Sequence, residues 1–356
     1  MSKPFYILSV DGGGYRGLFS AHILRRMEEA WGLNWHDRFG MFAGTSTGSI
    51  IAAGLASGIP AAVVTNFYVK HGERIFTRRR CSRFDLLKIF TSRYAGKTLH
   101  TLLVEVFGTK TLGDIQVPLI LPAVDIVNGC VHVFKSKYAD GFIRDPGVKL
   151  ADAVLASCSA PTYFDPHLVD GKYQLVDGGL WANNPSLVAA VDAQYRLKVP
   201  LEDIRVLSIG TGKSKAFYPR SEGWWKDRFI RSWQGWGFAT RWQCSKLLDL
   251  ILNLQSDTAH NMLCLLFGES PLDPKRVLRL TFESEGCLPM DAVCHGDDWI
   301  ARADHCFTHH SARLRQFLTL DGDVQDTSDN VIKPRPDKGA SSSASHDTGL
   351  TQGDVQ

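Results

Sequence analysis

Phe39-Gly40-Met41-Phe42-Ala43-Gly44-Thr45-Ser46-Thr47-Gly48-Ser49-Ile50-Ile51-Ala52-Ala53-Gly54-Leu55 is the stretch that decides the fold. The apolar run over 39–43 predicts a buried strand, and 49–55 predicts a helix. Between them Gly44 to Gly48 spells G-x-S-x-G, which in a strand–turn–helix context is a nucleophile elbow. Such a turn is sharp. The serine backbone is strained, and the residues two places either side must lack a side chain. Ser46 Oγ then projects from the top of a sheet, at the positive end of the following helix. Taken alone, the pentapeptide is equally compatible with a small-residue turn of no chemical meaning, and other segments decide between the two.

The first of these lies upstream. Phe5-Tyr6-Ile7-Leu8-Ser9-Val10 is an uncharged run of β-branched, aromatic and aliphatic residues, and predicts a buried strand. It breaks at Asp11-Gly12-Gly13-Gly14-Tyr15-Arg16-Gly17, and Arg16 to Trp31 then carries a helical apolar stripe. Consecutive glycines at a helix N-terminus expose backbone N–H groups and form an anion cradle. A serine hydroxyl needs such donors, aimed at the oxygen that becomes negative in a tetrahedral intermediate. Gly12, Gly14 and Gly17 also satisfy G-x-G-x-x-G, a dinucleotide-binding fingerprint. That reading requires an acidic residue at the end of the next strand, where this chain has the Gly44–Gly48 elbow instead.

A serine nucleophile also needs a base. Asp177-Gly178-Gly179 follows the short strand run Tyr173 to Val176 and precedes Leu180-Trp181-Ala182-Asn183-Asn184-Pro185. An aspartate at a strand end, backed by two glycines, can approach another loop closely. An ordinary Asp-Gly turn has the same local sequence.

Further strands are predicted at Val117–Val127, Val131–Lys135, Ile204–Ile209 and Val277–Phe282, the first two as a hairpin around Asn128-Gly129. Helices are predicted at 60–71, 99–107, 148–157, 185–197, 244–267 and 297–318. Strands alternating with helices imply an α/β fold, three layers deep, with a mostly parallel central sheet covered by helices on both faces. The apolar residues Leu247, Leu248, Ile251, Leu252, Leu254, Met262, Leu265 and Leu266 are expected to face the core from the helix after Cys244. We expect one domain over 1–320, with core motifs in 5–212 and a more variable region in 213–320. The segment 321–356, poor in large apolar residues, is expected to be disordered.

The composition is that of an ordinary globular protein: 44% hydrophobic and 22% charged over 356 residues. A net charge of +3 gives no case for DNA or RNA binding. Met1-Ser2-Lys3-Pro4 enters a strand at once, with no signal peptide, and no apolar run is long enough to span a bilayer. The expected location is cytoplasmic. The eight cysteines form no C-x-x-C pair and are read as free thiols. Cys294-His295 and His305-Cys306-x-x-His309-His310 match none of the usual zinc spacings, so no metal is expected.

Three motifs in order, D-G-G-G-x-R-G, G-x-S-x-G and D-G-G, resemble those of the patatin-like phospholipases. Ser157-Cys158-Ser159-Ala160-Pro161-Thr162-Tyr163-Phe164 and Gly210-Thr211-Gly212 are similar to the family's flanking segments. The resemblance implies a Ser46–Asp177 dyad with no histidine. It implies oxyanion donors at Gly13 and Gly14, with Gly12 flanking and Arg16 supporting, an elbow bounded by Gly44 and Gly48, and an aspartate flanked by Gly178 and Gly179. The implied substrate is a membrane glycerophospholipid, cleaved to a fatty acid and a lysophospholipid without a catalytic cofactor.

The chain is also similar, more narrowly, to bacterial CapV-like effectors of cyclic-oligonucleotide anti-phage signalling. That resemblance implies activation by a cyclic dinucleotide such as 3',3'-cyclic GMP-AMP, peripheral contact with the inner membrane and homo-oligomer formation on activation. Candidate nucleotide contacts are the arginines of 78–93 and the Trp/Arg-rich region 213–242, which includes Trp224, Trp225, Trp233, Trp236 and Trp242. The segment 74–93 is a candidate cover for the site. Two other readings stay open: an α/β-hydrolase triad using His260, His305, His309 or His310, and a non-catalytic membrane or signalling module.

Overall fold

The computed structural model describes residues 3–77, 92–214, 244–285 and 289–320. Most of the candidate cover, nearly all of the Trp/Arg-rich region and the segment 321–356 lie outside the described residues.

The chain runs β1 (Phe5–Val10), α1 (Gly17–Trp31), α2 (Trp35–Arg38), β2 (Met41–Gly44), α3 (Thr47–Ala56), α4 (Ala61–Ile75) and α5 (Gly96–Phe107). It continues with β3 (Leu119–Asp125), β4 (Cys130–Lys135), α6 (Leu150–Cys158), β5 (His167–Val169), β6 (Tyr173–Asp177), α7 (Gly179–Ala182), α8 (Ser186–Arg196), β7 (Ile204–Ile209) and β8 (Lys213–Ser214). The last elements are α9 (Cys244–Leu266), β9 (Val277–Leu280), β10 (Glu283–Ser284) and α10 (Gly296–Phe317). β5, three residues long, has no counterpart among the sequence expectations, because three residues are too few to reveal a period of two.

Eight strands form one sheet in the order β5-β6-β3-β2-β1-β7-β9, with β4 also on β3. The joins from β3 through β2, β1 and β7 to β9 are parallel. Those of β3 with β4, β3 with β6 and β5 with β6 are antiparallel. The sheet is thus mixed, with its parallel part at the centre.

Period-two alternation gives the central strands two buried faces. Tyr6, Leu8, Val10, Phe42, Leu207 and Ile209 share a core with apolar residues of α1, α3, α4, α5, α6 and α10. Ile7, Met41, Ala43, Ile120 and Val206 share another with Ala189, Ala190 and Ala193 of α8 and Leu263, Cys264 and Phe267. This is the three-layer arrangement expected. The expectation for α9 needs correction. Leu248, Leu252, Ala259 and Leu263 are buried, but Ile251, Leu254, Met262, Leu265 and Leu266 are exposed. The helix is apolar around more than one face, so pattern alone does not say which face meets the core.

The register of β3 positions the site. β4 pairs with residues 120–125 along one edge of β3. β2 pairs at Leu119 and Ile120, and β6 at Ala123 to Asp125, so both must share the opposite edge. β2 runs parallel to β3 and β6 antiparallel. Their C-terminal ends therefore point at each other across a break at Leu121 and Pro122. Proline has no N–H to leave unpaired there, which accounts for a proline inside a strand bonded on both edges.

Candidate active site

β2 delivers Ser46 to that break from one side and β6 delivers Asp177 from the other. Ser46 sits at φ 53°, ψ −127°, immediately before α3. A non-glycine residue in this region is strained, at a cost of order 1–3 kcal/mol, and such strain collects at functional sites. A Cβ on Gly44 would lie 2.1 Å from Gly48 O, and one on Gly48 would lie 2.2 Å from Val10 O. Both positions of the elbow must be glycine for the reason the sequence suggested: backbone passes where a side chain would be.

Neighbouring side chains hold the turn. The Ser46 N–H donates to Ser157 Oγ at 3.1 Å, and Ser157 Oγ donates to Pro122 O at 2.6 Å. Cys158 Sγ and Ser49 Oγ both donate to the Ser46 carbonyl. Thr45 Oγ1 donates to Ala182 O at 2.6 Å, tying the elbow to the chain after Asp177.

Asp177 is 5% exposed. Burial pushes its carboxyl up to about 7, against hydrogen bonds from the Ser46 hydroxyl and the Gly179 N–H. Its Oδ1 accepts the Gly179 N–H at 2.7 Å. Gly178 is required by packing, because a Cβ there would lie 2.3 Å from Pro122 O. A carboxylate of raised proton affinity beside a serine side chain is suited to accept the serine's proton.

The glycine loop lies beside the pair. The Gly12 N–H is engaged by Asn183 O at 3.1 Å. The Gly13 and Gly14 N–H groups have no backbone acceptor among the described residues. Each belongs to a peptide whose carbonyl is held from the other side. Thr211 Oγ1 donates to Gly12 O at 2.7 Å, and Arg16 Nε donates to Gly13 O at 3.2 Å. In a planar trans peptide the N–H points away from the C=O. Thr211 and Arg16 therefore aim the N–H groups of Gly13 and Gly14 in the opposite direction. Gly14 itself has φ +61°, where an L side chain is disfavoured.

Beneath the loop, Asp11 is buried and receives both Arg279 nitrogens, with Nη1 at 2.7 Å from Oδ1. Ser256 Oγ adds a third donor at 3.1 Å, and Arg279 also donates to Ser208 Oγ. Sequence reading missed Arg279 and Ser256, since each acts across a long separation without a local motif. Ser157 and Thr211 were noted only within segments similar to the family's flanking ones, with no role assigned.

A narrow apolar cleft reaches Ser46, Asp177, Gly13 and Gly14, walled by Tyr15, Ile50, Tyr68, Phe76, Leu99, Phe164, Leu180, Leu248, Leu252 and Met290. Its open volume is about 50 Å³. No histidine lines it among the described residues. His305 and His309 contact each other on α10, and His260 lies against Cys264. Cys306 is buried on α10 together with Trp299, Ala303, Phe307 and Leu314. Arg93, at the edge of the candidate nucleotide contacts, is ion-paired with Asp291 and stacked over Tyr163.

Residues 8–190 match the family described as patatin-like phospholipase. The chain belongs to that family. It is a lipid acyl hydrolase by membership. It is 32% identical over 268 residues to a cGAMP-activated phospholipase of Pseudomonas aeruginosa, covering 75% of this chain and 76% of that protein. A cUMP-AMP-activated phospholipase of Escherichia coli is 31% identical over 332 residues, covering 88% of this chain and 93% of that one. A cGAMP-activated phospholipase of Vibrio cholerae is 34% identical over 238 residues, covering 60% and 66%. No helix among the described residues is long and apolar enough to cross a membrane.

Proposed function

We propose that this chain hydrolyses acyl esters of membrane glycerophospholipids through a Ser46–Asp177 dyad, and that a cyclic dinucleotide such as 3',3'-cyclic GMP-AMP switches it on. The observation that carries the chemistry is a strained serine and a buried aspartate of raised basicity brought together on one apolar cleft. Ser46 Oγ attacks the ester carbonyl while Asp177 takes its proton. The N–H groups of Gly13 and Gly14 stabilise the oxyanion. Asp177 returns the proton to the departing lysophospholipid oxygen. Water then attacks the acyl-serine, giving up a proton to Asp177, which passes it to Ser46 Oγ as the fatty acid leaves. No histidine has a place in this sequence of steps.

The switch rests on two supports. Four relatives, the three above and one more from Escherichia coli, carry cyclic-dinucleotide activation in their names. The second is the cleft itself, whose 50 Å³ is far below the roughly 300–1,000 Å³ of ordinary ligand pockets. A diacyl lipid enters only after the walls part, so a ligand that binds the open form better raises activity. A silent lipase fits a cytoplasmic protein that attacks the inner membrane during anti-phage defence. Ile251 and Leu254, exposed on the same helix α9 that carries the cleft-lining Leu248 and Leu252, offer an apolar surface for peripheral lipid contact.

Fatty-acid release from phospholipid vesicles, with and without a panel of cyclic dinucleotides, tests both parts. Release by the wild type with one nucleotide, and none by Ser46→Ala, is expected. Release that survives Ser46→Ala removes the dyad. Rates that no nucleotide changes remove the switch.

A further inference from the structure

We propose that His100, Asp152 and His167 form a binding site for a divalent transition-metal ion, zinc above all, that staples α5, α6 and β5 together. The three side chains come from separate elements. His100 Nε2 and His167 Nε2 each lie 2.9 Å from the same oxygen, Asp152 Oδ1. One ligand atom from each residue falls within 4.8 Å of the others. The imidazole rings sit 5.6 Å apart between centroids, with side chains 37% and 20% exposed, so an ion has a path in from solvent.

Two imidazole nitrogens converging with a carboxylate are a donor set suited to zinc rather than to calcium or magnesium, which prefer all-oxygen sites. Zinc–nitrogen bonds of about 2.0–2.1 Å place tetrahedral ligand atoms about 3.3 Å apart, so the two histidine–aspartate distances of 2.9 Å need open by only a few tenths of an ångström. In neutral rings each proton moves from Nε2 to Nδ1, which frees both Nε2 lone pairs with no net proton released. Water completes the fourth position.

The site's position gives it a purpose. Asp152 lies on α6, five residues before Ser157, which holds the Ser46 N–H. His167 begins β5, which pairs with β6, and β6 ends at Asp177. His100 follows Leu99, which lines the cleft. An ion there fixes the supports of both halves of the site without touching substrate. The inference does not depend on the proposed reaction, because its readout is metal binding.

The full chain, stripped with chelator and dialysed, is titrated with zinc by calorimetry. The expected result is one ion per chain at micromolar affinity or tighter, and a melting temperature raised by several degrees with excess zinc. His100→Ala and His167→Ala are each expected to weaken binding at least tenfold and to abolish the shift, whereas His305→Ala leaves both unchanged. Equal affinity in wild type, His100→Ala and His167→Ala overturns the site, as does no binding at all. Cobalt in the wild-type protein gives a second test that needs no variant. Visible bands of a nitrogen–oxygen site, without a thiolate charge-transfer band, are expected. A thiolate band would place the ion on cysteine and overturn the proposal.

Discussion

Ser157 holds Ser46 by its backbone: Ser157 Oγ accepts the Ser46 N–H at 3.1 Å while donating to Pro122 O at 2.6 Å. One hydroxyl thus satisfies two groups stranded where β2 and β6 stop short of each other along β3. Replacing Ser157 with alanine leaves a buried donor and a buried acceptor unpaired, each worth about 1–3 kcal/mol. We expect a combined loss of stability of about 2–6 kcal/mol by chemical denaturation, together with a drop in turnover, because the elbow loses an anchor. A variant with wild-type stability and turnover would show that water replaces the hydroxyl.

Asp177 links activity to pH. The proposed dyad requires the carboxylate ionised, so kcat/KM is expected to rise with pH and level off above about 7. A profile flat between pH 5 and 8 would contradict the raised carboxyl.

The same group makes stability fall as pH rises. Folding raises this pKa from 3.8 to about 7, so between those values the folded protein binds the proton more tightly than the unfolded chain. The penalty is complete above about pH 7 and amounts to roughly 4 kcal/mol at about 1.4 kcal/mol per unit. Asp177→Asn keeps an acceptor for the Gly179 N–H and carries no charge. Its melting temperature is expected to match wild type near pH 4 and to exceed it by several degrees at pH 8, while activity is lost. Parallel melting curves for the two proteins across pH would rule this out.

Thr211 is a positioning residue for the glycine loop. Thr211→Val keeps the shape and removes the donor to Gly12 O. Losing an oxyanion donor outright costs about 100- to 1,000-fold, so a misaimed one is expected to lower kcat by about tenfold or more. KM should change little. A fall in KM-related binding with kcat intact would point to substrate contact instead.

Arg279 neutralises Asp11 beneath that loop. Arg279→Met strands a buried carboxylate, for which about 3–5 kcal/mol of destabilisation is typical. Adding Asp11→Asn to Arg279→Met is expected to recover a large part of that loss. Additive losses in the double variant would show that the two residues act separately.

Much of this molecule is visible in local sequence. The strand runs at 5–10 and 204–209, the hairpin at Asn128-Gly129 and the glycines of the elbow each follow from neighbours within a few residues. The helix expected at 297–318 is α10, with Trp299, Ala303, Cys306, Phe307 and Leu314 buried. What stayed hidden depends on distant pairing. No pattern near Pro122 announces that β2 and β6 meet head-on there. Arg279 finds Asp11 across 268 residues, and Thr211 finds Gly12 across 199. His100, Asp152 and His167 have no motif spacing, because three different elements bring them together. α9 misled because apolar residues surround it, and only packing separates Leu252 from Leu254.

The most direct test of the account is covalent labelling by a fluorophosphonate, read by intact mass and peptide mapping, with and without 3',3'-cyclic GMP-AMP. The account predicts a single adduct on Ser46, formed faster with the nucleotide and lost in Asp177→Ala. An adduct on any other residue, or one on Ser46 that forms at the wild-type rate in Asp177→Ala, would contradict it.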